Sequence, residues 1–244
     1  MKGKTQFIIL IMMNLLKQFA EGVSQIIFPH TCLGCSSDVL LKNELLCTQC
    51  KTELPYTNFF EISPNPIEKI FYGRLKIEHA AAIFFFTKES LLQHLIFQLK
   101  YKGNKEAGFY LGQLLGIELK KSVHFQNIDA IIPLPLNEKK QFKRGYNQAA
   151  VICEGIGEVW QKPILQNIIE RIVFTETQTH ENRIQRWQNM VGVFKVVQPE
   201  LVENKHILLV DDVITTGATL ESCGTEILQI RNTKLSIVTV AYTL

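Results

Sequence analysis

The run His206-Ile207-Leu208-Leu209-Val210-Asp211-Asp212-Val213-Ile214-Thr215-Thr216-Gly217-Ala218-Thr219-Leu220 constrains the fold more than any other part of the chain. Its apolar start predicts a strand over His206–Val210, and the periodicity after Gly217 predicts a helix from Ala218 to Ile230. Between them lies a short loop with three hydroxyls, a glycine and the free N–H groups of a helix N-terminus. That combination suits a phosphate monoester. The two acids at the strand end repel phosphate. They suit the vicinal hydroxyls of a ribose, directly or through Mg²⁺. No Gly-x-x-x-x-Gly-Lys occurs, which excludes a P-loop nucleotidase. Gly155-Ile156-Gly157 lacks both a third glycine and a preceding strand, so a dinucleotide fingerprint is weak.

The pattern around this motif alternates strands and helices. Strands are predicted at His79–Phe86, Ile128–Ile132, Val191–Val197, His206–Val210 and Leu235–Ala241. Helices are predicted at Ser90–Leu99, Ala107–Leu119, Asn147–Val159 and Ala218–Ile230. Such alternation makes an α/β domain with a parallel sheet flanked by helices. Ligands of these sheets sit at the carboxyl ends of the strands, which is where the acid–threonine loop falls. Gly108, Gly112 and Gly116 are four residues apart on one predicted helix face, and the expectation is tight packing against the sheet.

Near the N-terminus, Cys32-Leu33-Gly34-Cys35 and Cys47-Thr48-Gln49-Cys50 form two Cys-x-x-Cys pairs. Each pair is a tight knuckle aiming two thiolates at one point, and two knuckles complete a tetrahedral zinc shell. A closed four-thiolate shell has no open position, so the zinc is expected to be structural. A module this small lacks a sufficient apolar core, and the metal supplies folding free energy. Redox pairs and disulfides are the competing readings, and His30 is a substitute ligand that four cysteines make unnecessary. Cys153 and Cys223 stand apart and read as buried small apolar residues.

The expected layout is an N-terminal amphipathic helix over 1–28, a zinc-ribbon module over 29–58, a linker rich in proline over 59–76, and the main domain over 77–244. The apolar run Phe7–Met13 after Lys2 and Lys4 also fits the start of a signal peptide or a helix on a membrane surface. Asn14 and Lys17 interrupt it before it is long enough to cross a bilayer, so no stable membrane insertion is expected. With 46% hydrophobic and 20% charged residues in 244, a net charge of +3 and no low-complexity tract, disorder and collagen-like folds are excluded.

Two further segments bear on the site. Pro133-Leu134-Pro135 follows a strand and leads to Lys139, Lys140, Lys143 and Arg144, a cationic run suited to a pyrophosphate or a nucleic-acid backbone. A solvated basic face is the plainer reading. From Arg171 to Phe194 the chain is polar and rich in Thr, Gln and Arg, including Thr177, Gln178, Arg186 and Asn189. It reads as a lid over an anionic substrate or as an ordinary polar helix-loop. Lys100, Lys102 and Lys105 form a second cationic group, most simply a solvated helix end. Tyr101, Phe142, Tyr146 and Trp187 lie near these cations and are base-stacking candidates, each individually better explained by packing.

The 206–220 run closely resembles the phosphoribosyl-pyrophosphate (PRPP) motif of type I phosphoribosyltransferases: apolar residues, two acids, two apolar residues, then Thr-Thr-Gly-x-Thr. With Cys32 to Cys50, Pro133-Leu134-Pro135, Arg144-Gly145-Tyr146-Asn147-Gln148 and Gln178 to Asn189 in the same order, nearly the whole chain resembles the ComF family. These are phosphoribosyltransferase-like proteins linked to natural competence. Glu181 departs from the apolar residue expected in the lid. The resemblance implies a type I phosphoribosyltransferase-like domain in which Asp211 and Asp212 contact the ribose and stabilise positive charge. It places the 5′-phosphate on Thr215, Thr216, Gly217, Ala218 and Thr219. Pro133, Leu134, Pro135, Lys143 and Arg144 would form the pyrophosphate loop, and Thr177, Gln178, Arg186 and Asn189 the lid. It further implies Mg²⁺ with PRPP, a cytoplasmic location, and pentosyl transfer to an acceptor that no residue here identifies. The alternative is a non-catalytic protein that senses PRPP or a nucleotide, or binds single-stranded DNA alongside other competence proteins.

Overall fold

The computed structural model describes residues 13, 31–38, 40, 44–172 and 193–243. The chain divides into two compact units, Met1–Glu53 and Leu54–Leu244. In the first, a turn over Leu33–Cys35 and the short helix α1 (Thr48–Thr52) each carry one cysteine pair. Cys32, Leu46 and Cys50 form its buried centre. Leu33 N–H donates to the Leu45 carbonyl at 2.9 Å and so ties one knuckle to the other. The amphipathic helix expected over 1–28 lies outside the described residues apart from Met13.

The second unit begins with a segment that proline content marks as a linker, and here the structure differs. Phe60, Ile67 and Phe71 are buried, and α2 (Pro66–Ile70) starts with proline at its first helical position. A proline there removes an N–H that has no partner anyway. Asn65 caps α2 in a reciprocal capping box with Glu68, and its side-chain amide reaches the carbonyls of Phe59, Ile62 and Ala80. Residues 54–76 therefore pack within the larger unit instead of linking two domains.

Beyond them come β1 (Ala80–Phe86), α3 (Leu91–Tyr101), α4 (Lys105–Lys121), β2 (Ala130–Pro133), α5 (Glu138–Arg144) and α6 (Gln148–Trp160). Then follow β3 (Ile169–Arg171), β4 (Phe194–Val196), β5 (His206–Ile214), α7 (Ala218–Leu228) and β6 (Lys234–Thr243). A four-stranded parallel sheet runs in the order β1-β6-β5-β2. Its strands read as near-continuous apolar runs because both faces are covered, as parallel sheets require. Leu235 to Ala241 of β6, for example, are buried throughout. The main unit is thus a parallel sheet flanked by helices, with the small four-cysteine unit preceding it in the chain. Strands β3 and β4 form a separate antiparallel pair at the base of the 173–192 segment, which lies outside the described residues.

The glycine face of α4 meets a helix, not the sheet. A Cβ added at Gly112 would stand 2.1 Å from the Ile152 carbonyl oxygen, and one at Gly155 of α6 would stand 2.1 Å from that of Phe109. Glycines facing one another let the two backbones touch, which a sheet surface covered with side chains would not need.

Candidate functional site: an acidic pair and an anion loop

Strand β5 runs on through the two acids and ends at Ile214, because Asp211, Val213 and Ile214 stay in register with β6. Asp212 is buried and Asp211 partly so. The Asp212 N–H donates to Asp211 Oδ1 at 2.8 Å. The opposite side of the pair is closed by a cation: Lys100 Nζ, in the last turn of α3, lies 2.9 Å from Asp212 Oδ1. Burial, joined by the charge of Asp212, pushes the Asp211 carboxyl up to about 8, against the Asp212 N–H and Lys100.

From Ile214 the chain turns through Thr215, Thr216 and Gly217 into α7. Gly217 caps the helix at φ +72°, a left-handed conformation that costs glycine little. A side chain there would also press within 2.9 Å of Ile70 and 3.2 Å of the Phe71 ring. Thr215, Thr216 and Thr219, which carry hydroxyls, are exposed together with Ala218 at the start of a helix whose first N–H groups have no partner within the helix. With Asp211 they line a shallow pocket of about 50 Å³. Arg74 braces the loop from outside: its Nη1 donates to the Thr216 carbonyl at 2.9 Å, and its Nη2 is paired with Glu221.

The loop after β2 lies beside this site. Pro133 pairs in register with Val210, and Leu134 N–H donates to the Val210 carbonyl at 2.8 Å, next to Asp211. The Asn147 side chain holds the Leu134 carbonyl at 2.9 Å. The cationic run is the helix α5, not a loop; Asn137 caps its start and Gly145 its end. Lys139, Lys140 and Lys143 are exposed on it. Arg144 instead donates to Gln148 Oε1 at 2.7 Å and stacks 5.4 Å from the centre of the Tyr101 ring. A cleft of about 450 Å³ opens on the side of Pro133, Pro135, Tyr146 and Asn147 that leads to Arg171. The lid residues Thr177, Gln178, Arg186 and Asn189 lie outside the described residues.

The structure thus brings together Pro133 to Pro135, Asp211, Asp212 and Thr215 to Thr219. It adds Arg74, and Lys100, which the sequence pattern had placed only in a solvated cationic helix end. Lys100 resembled any lysine at a helix end, and Arg74 lay in the presumed linker. Only the tertiary fold sets them against residues 112 and 142 positions away.

In the four-cysteine unit the sulfurs all lie within 4.8 Å of one another, with Cys35 Sγ and Cys47 Sγ 3.7 Å apart. A tetrahedral zinc–thiolate shell with bonds of about 2.3 Å places neighbouring sulfurs about 3.8 Å apart, so the set fits zinc. Burial alone would raise the Cys32 thiol. N–H groups of Cys47, Cys35 and Gly34, with the Cys50 side chain, outweigh it and bring the thiol down to about 6. A thiolate is therefore ready before metal arrives. Burial and the neighbouring thiols push Cys50 up, and metal binding would have to displace its proton. Cys153 and Cys223 are buried within the larger unit, as expected for packing residues.

No family model matches the chain. It is 29% identical over 198 residues to Competence protein F of Haemophilus influenzae, covering 78% of this chain and 80% of that protein. It is 32% identical over 136 residues to the DNA utilization protein YhgH of Salmonella typhimurium, covering 53% of this chain and 57% of that one. These matches agree with the resemblance of the chain to the ComF family. Among solved structures, the chain aligns with the glutamine PRPP amidotransferase of Bacillus subtilis complexed with ADP and GMP. That match has 18% identity and a TM-score of 0.41, over 56% of this chain and 26% of that one. Among the described residues no helix is long and apolar enough to cross a membrane.

Proposed function

We propose that this protein, like the ComF family it resembles, binds PRPP, or a related phosphoribosyl ligand, with Mg²⁺ and acts in the handling of DNA during natural competence, in the cytoplasm. The observation that carries the ligand is the acidic pair of β5 running straight into an exposed, hydroxyl-lined loop at the start of α7, beside the Pro133–Pro135 loop. Thr215 to Thr219 would hold the 5′-phosphate through hydroxyls and backbone N–H groups. Asp211 and Asp212 would accept from the ribose hydroxyls. The loop from Pro133 to Pro135, with Lys143 and Arg144, would receive the pyrophosphate, and Thr177, Gln178, Arg186 and Asn189 would close over it.

Transfer to a nitrogen acceptor is the reaction this arrangement can support. Mg²⁺ arriving with the ligand would neutralise pyrophosphate charge. The chain's own part is to fix the ribose, so that the acidic pair Asp211 and Asp212 faces the positive charge that develops as the C1–O bond opens. Four thiols gathered as metal ligands also suit a reducing compartment, in which a structural zinc persists.

Calorimetric titration of the zinc-loaded protein with PRPP and Mg²⁺, with pyrophosphate release followed as bases and amines are added, tests both halves. Binding that disappears in Asp211→Asn/Asp212→Asn supports the ribose assignment; equal affinity in that variant refutes it. Release with one acceptor makes the protein a transferase.

A second reading, single-stranded DNA binding, is favoured by one observation. The two cationic groups, far apart in sequence, meet in the fold: Arg144 stacks on Tyr101, and Lys105 Nζ lies 5.2 Å from the Tyr146 ring centre. Around them Phe97, Tyr101 and Phe142 are exposed at 44%, 62% and 93%. Cations interleaved with bare aromatic rings suit stacked bases and a phosphate backbone. Fluorescence anisotropy with a labelled oligonucleotide at two salt concentrations tests it, since backbone contacts weaken steeply with salt.

A further inference from the structure

We propose that Lys100 is the built-in counter-cation of the acidic pair, a positioning residue that holds Asp212 in place and keeps a divalent ion from settling on the two acids. The inference rests on the reading of that pair as the ribose site. The Lys100 and Asp212 side chains are only 20% and 12% exposed, and their 2.9 Å contact is direct. A lysine this enclosed needs an anion, and the carboxylate needs a cation, so neither is a rim charge that salt would screen. The C-terminal turn of α3 favours the ammonium further.

The chain holds Lys100 on both sides. The Leu99 carbonyl accepts from the Tyr146 hydroxyl, and the Tyr101 ring lies under Arg144. Arg144 of the proposed pyrophosphate loop and Tyr146 just after it thus grip the neighbours of the cation on Asp212. With Asp212 Oδ1 committed to the ammonium and Asp211 Oδ1 to the Asp212 N–H, the remaining oxygens of the pair are left for the ribose hydroxyls. The divalent ion is then confined to the pyrophosphate end of the ligand. Lys100 does not touch the ligand in this arrangement; it acts through Asp212.

The test uses the zinc-loaded full chain and Mn²⁺ alone, counted by electron paramagnetic resonance without PRPP. Lys100→Met should bind one Mn²⁺ more than wild type, while Lys100→Arg and Lys100→Met/Asp212→Asn should not. Should the methionine variant fail to fold, Lys100→Gln is read in the same way. In parallel, PRPP affinity at low Mg²⁺ should fall on the order of tenfold in Lys100→Met, the scale of one lost charged hydrogen bond, and recover in Lys100→Arg. No extra Mn²⁺ in the methionine or glutamine variant overturns the proposal. Failure of wild type to bind PRPP would instead bring down the ribose reading, and the Mn²⁺ count would still decide the role of Lys100.

Discussion

Replacing Asp211 with asparagine should stabilise the protein while abolishing its proposed ligand binding. The Asp211 carboxyl is raised from an ordinary 3.8 to about 8, first by burial and then by the charge of Asp212. A native value above the unfolded one means that the folded chain keeps a proton the unfolded chain gives up. Stability therefore falls as pH rises between the two values, and the penalty is complete above about pH 8. At about 1.4 kcal/mol per pKa unit the ceiling is near 6 kcal/mol. Asp211 is only partly buried, so solvent reaches the charge and a gain of about 2 kcal/mol is the realistic expectation. Asparagine keeps the shape, and its Oδ1 can still accept from the Asp212 N–H. Urea unfolding of wild type and Asp211→Asn, followed by tryptophan fluorescence of the larger unit, should show a gap that widens steadily from about pH 5.5 to about pH 8. Staying above about pH 5 keeps the thiolates metal-bound. A gap that is constant across this range, or that favours wild type at its upper end, would refute the claim that Asp211 is held protonated by its surroundings. Stability gained where binding is lost is the signature of a residue kept for function.

Three other perturbations follow from the geometry. Gly155→Ala adds a Cβ 2.1 Å from the Phe109 carbonyl and 2.9 Å from the Gln113 nitrogen, both backbone atoms. Pushing α4 and α6 apart should cost about 3 kcal/mol, less about 1 kcal/mol of helix propensity, and chemical denaturation should show the net loss. Cys47→Ser should lower zinc to well under one per chain by elemental analysis and loosen the short helix α1, with the sheet retained by circular dichroism. Arg74→Ala frees the Thr216 carbonyl and Glu221. It should weaken PRPP binding by roughly tenfold in calorimetry with only a small change in melting temperature, since the arginine is a surface brace on the loop and not core.

The sequence made the sheet and the strand–loop–helix around Thr215 to Thr219 legible because both depend on local rules. Buried parallel strands must be apolar along their length, and an anion loop must expose hydroxyls and N–H groups at a helix start. The four-cysteine unit was legible for the same reason, since metal ligation sets its own spacing. Three features were not. Residues 54–76 resemble a linker because proline breaks helices in general, yet Pro66 starts one once Asn65 caps it. The cations from Lys139 to Arg144 resemble a loop because charge hides the Asn137 and Gly145 caps that delimit α5. The glycine face of α4 gives no hint of its partner until Gly155 is placed opposite it.

The pairing of Lys100 with Asp212 belongs to the same class and carries more for function. Along the chain, Lys100, Lys102 and Lys105 are three similar lysines. In the fold they part: Lys100 turns inward to the acid, Lys102 lies 5.9 Å from the centre of the exposed Phe97 ring, and Lys105 caps the ring of Tyr146. One short stretch, the end of α3 and the start of α4, therefore supplies both the internal charge of the candidate ribose site and part of the outer basic, aromatic face. If the phosphoribosyl and DNA readings both hold, this stretch is where they meet. A ligand that shifts Asp212 would act on Lys100, and through the backbone of Leu99 to Lys102 on the rings and cations offered to a nucleic acid. The two binding events would then be coupled, and linkage requires that PRPP change DNA affinity by the same factor that DNA changes PRPP affinity. Equal affinities for labelled single-stranded DNA with and without saturating PRPP would show that the stretch serves the two surfaces independently.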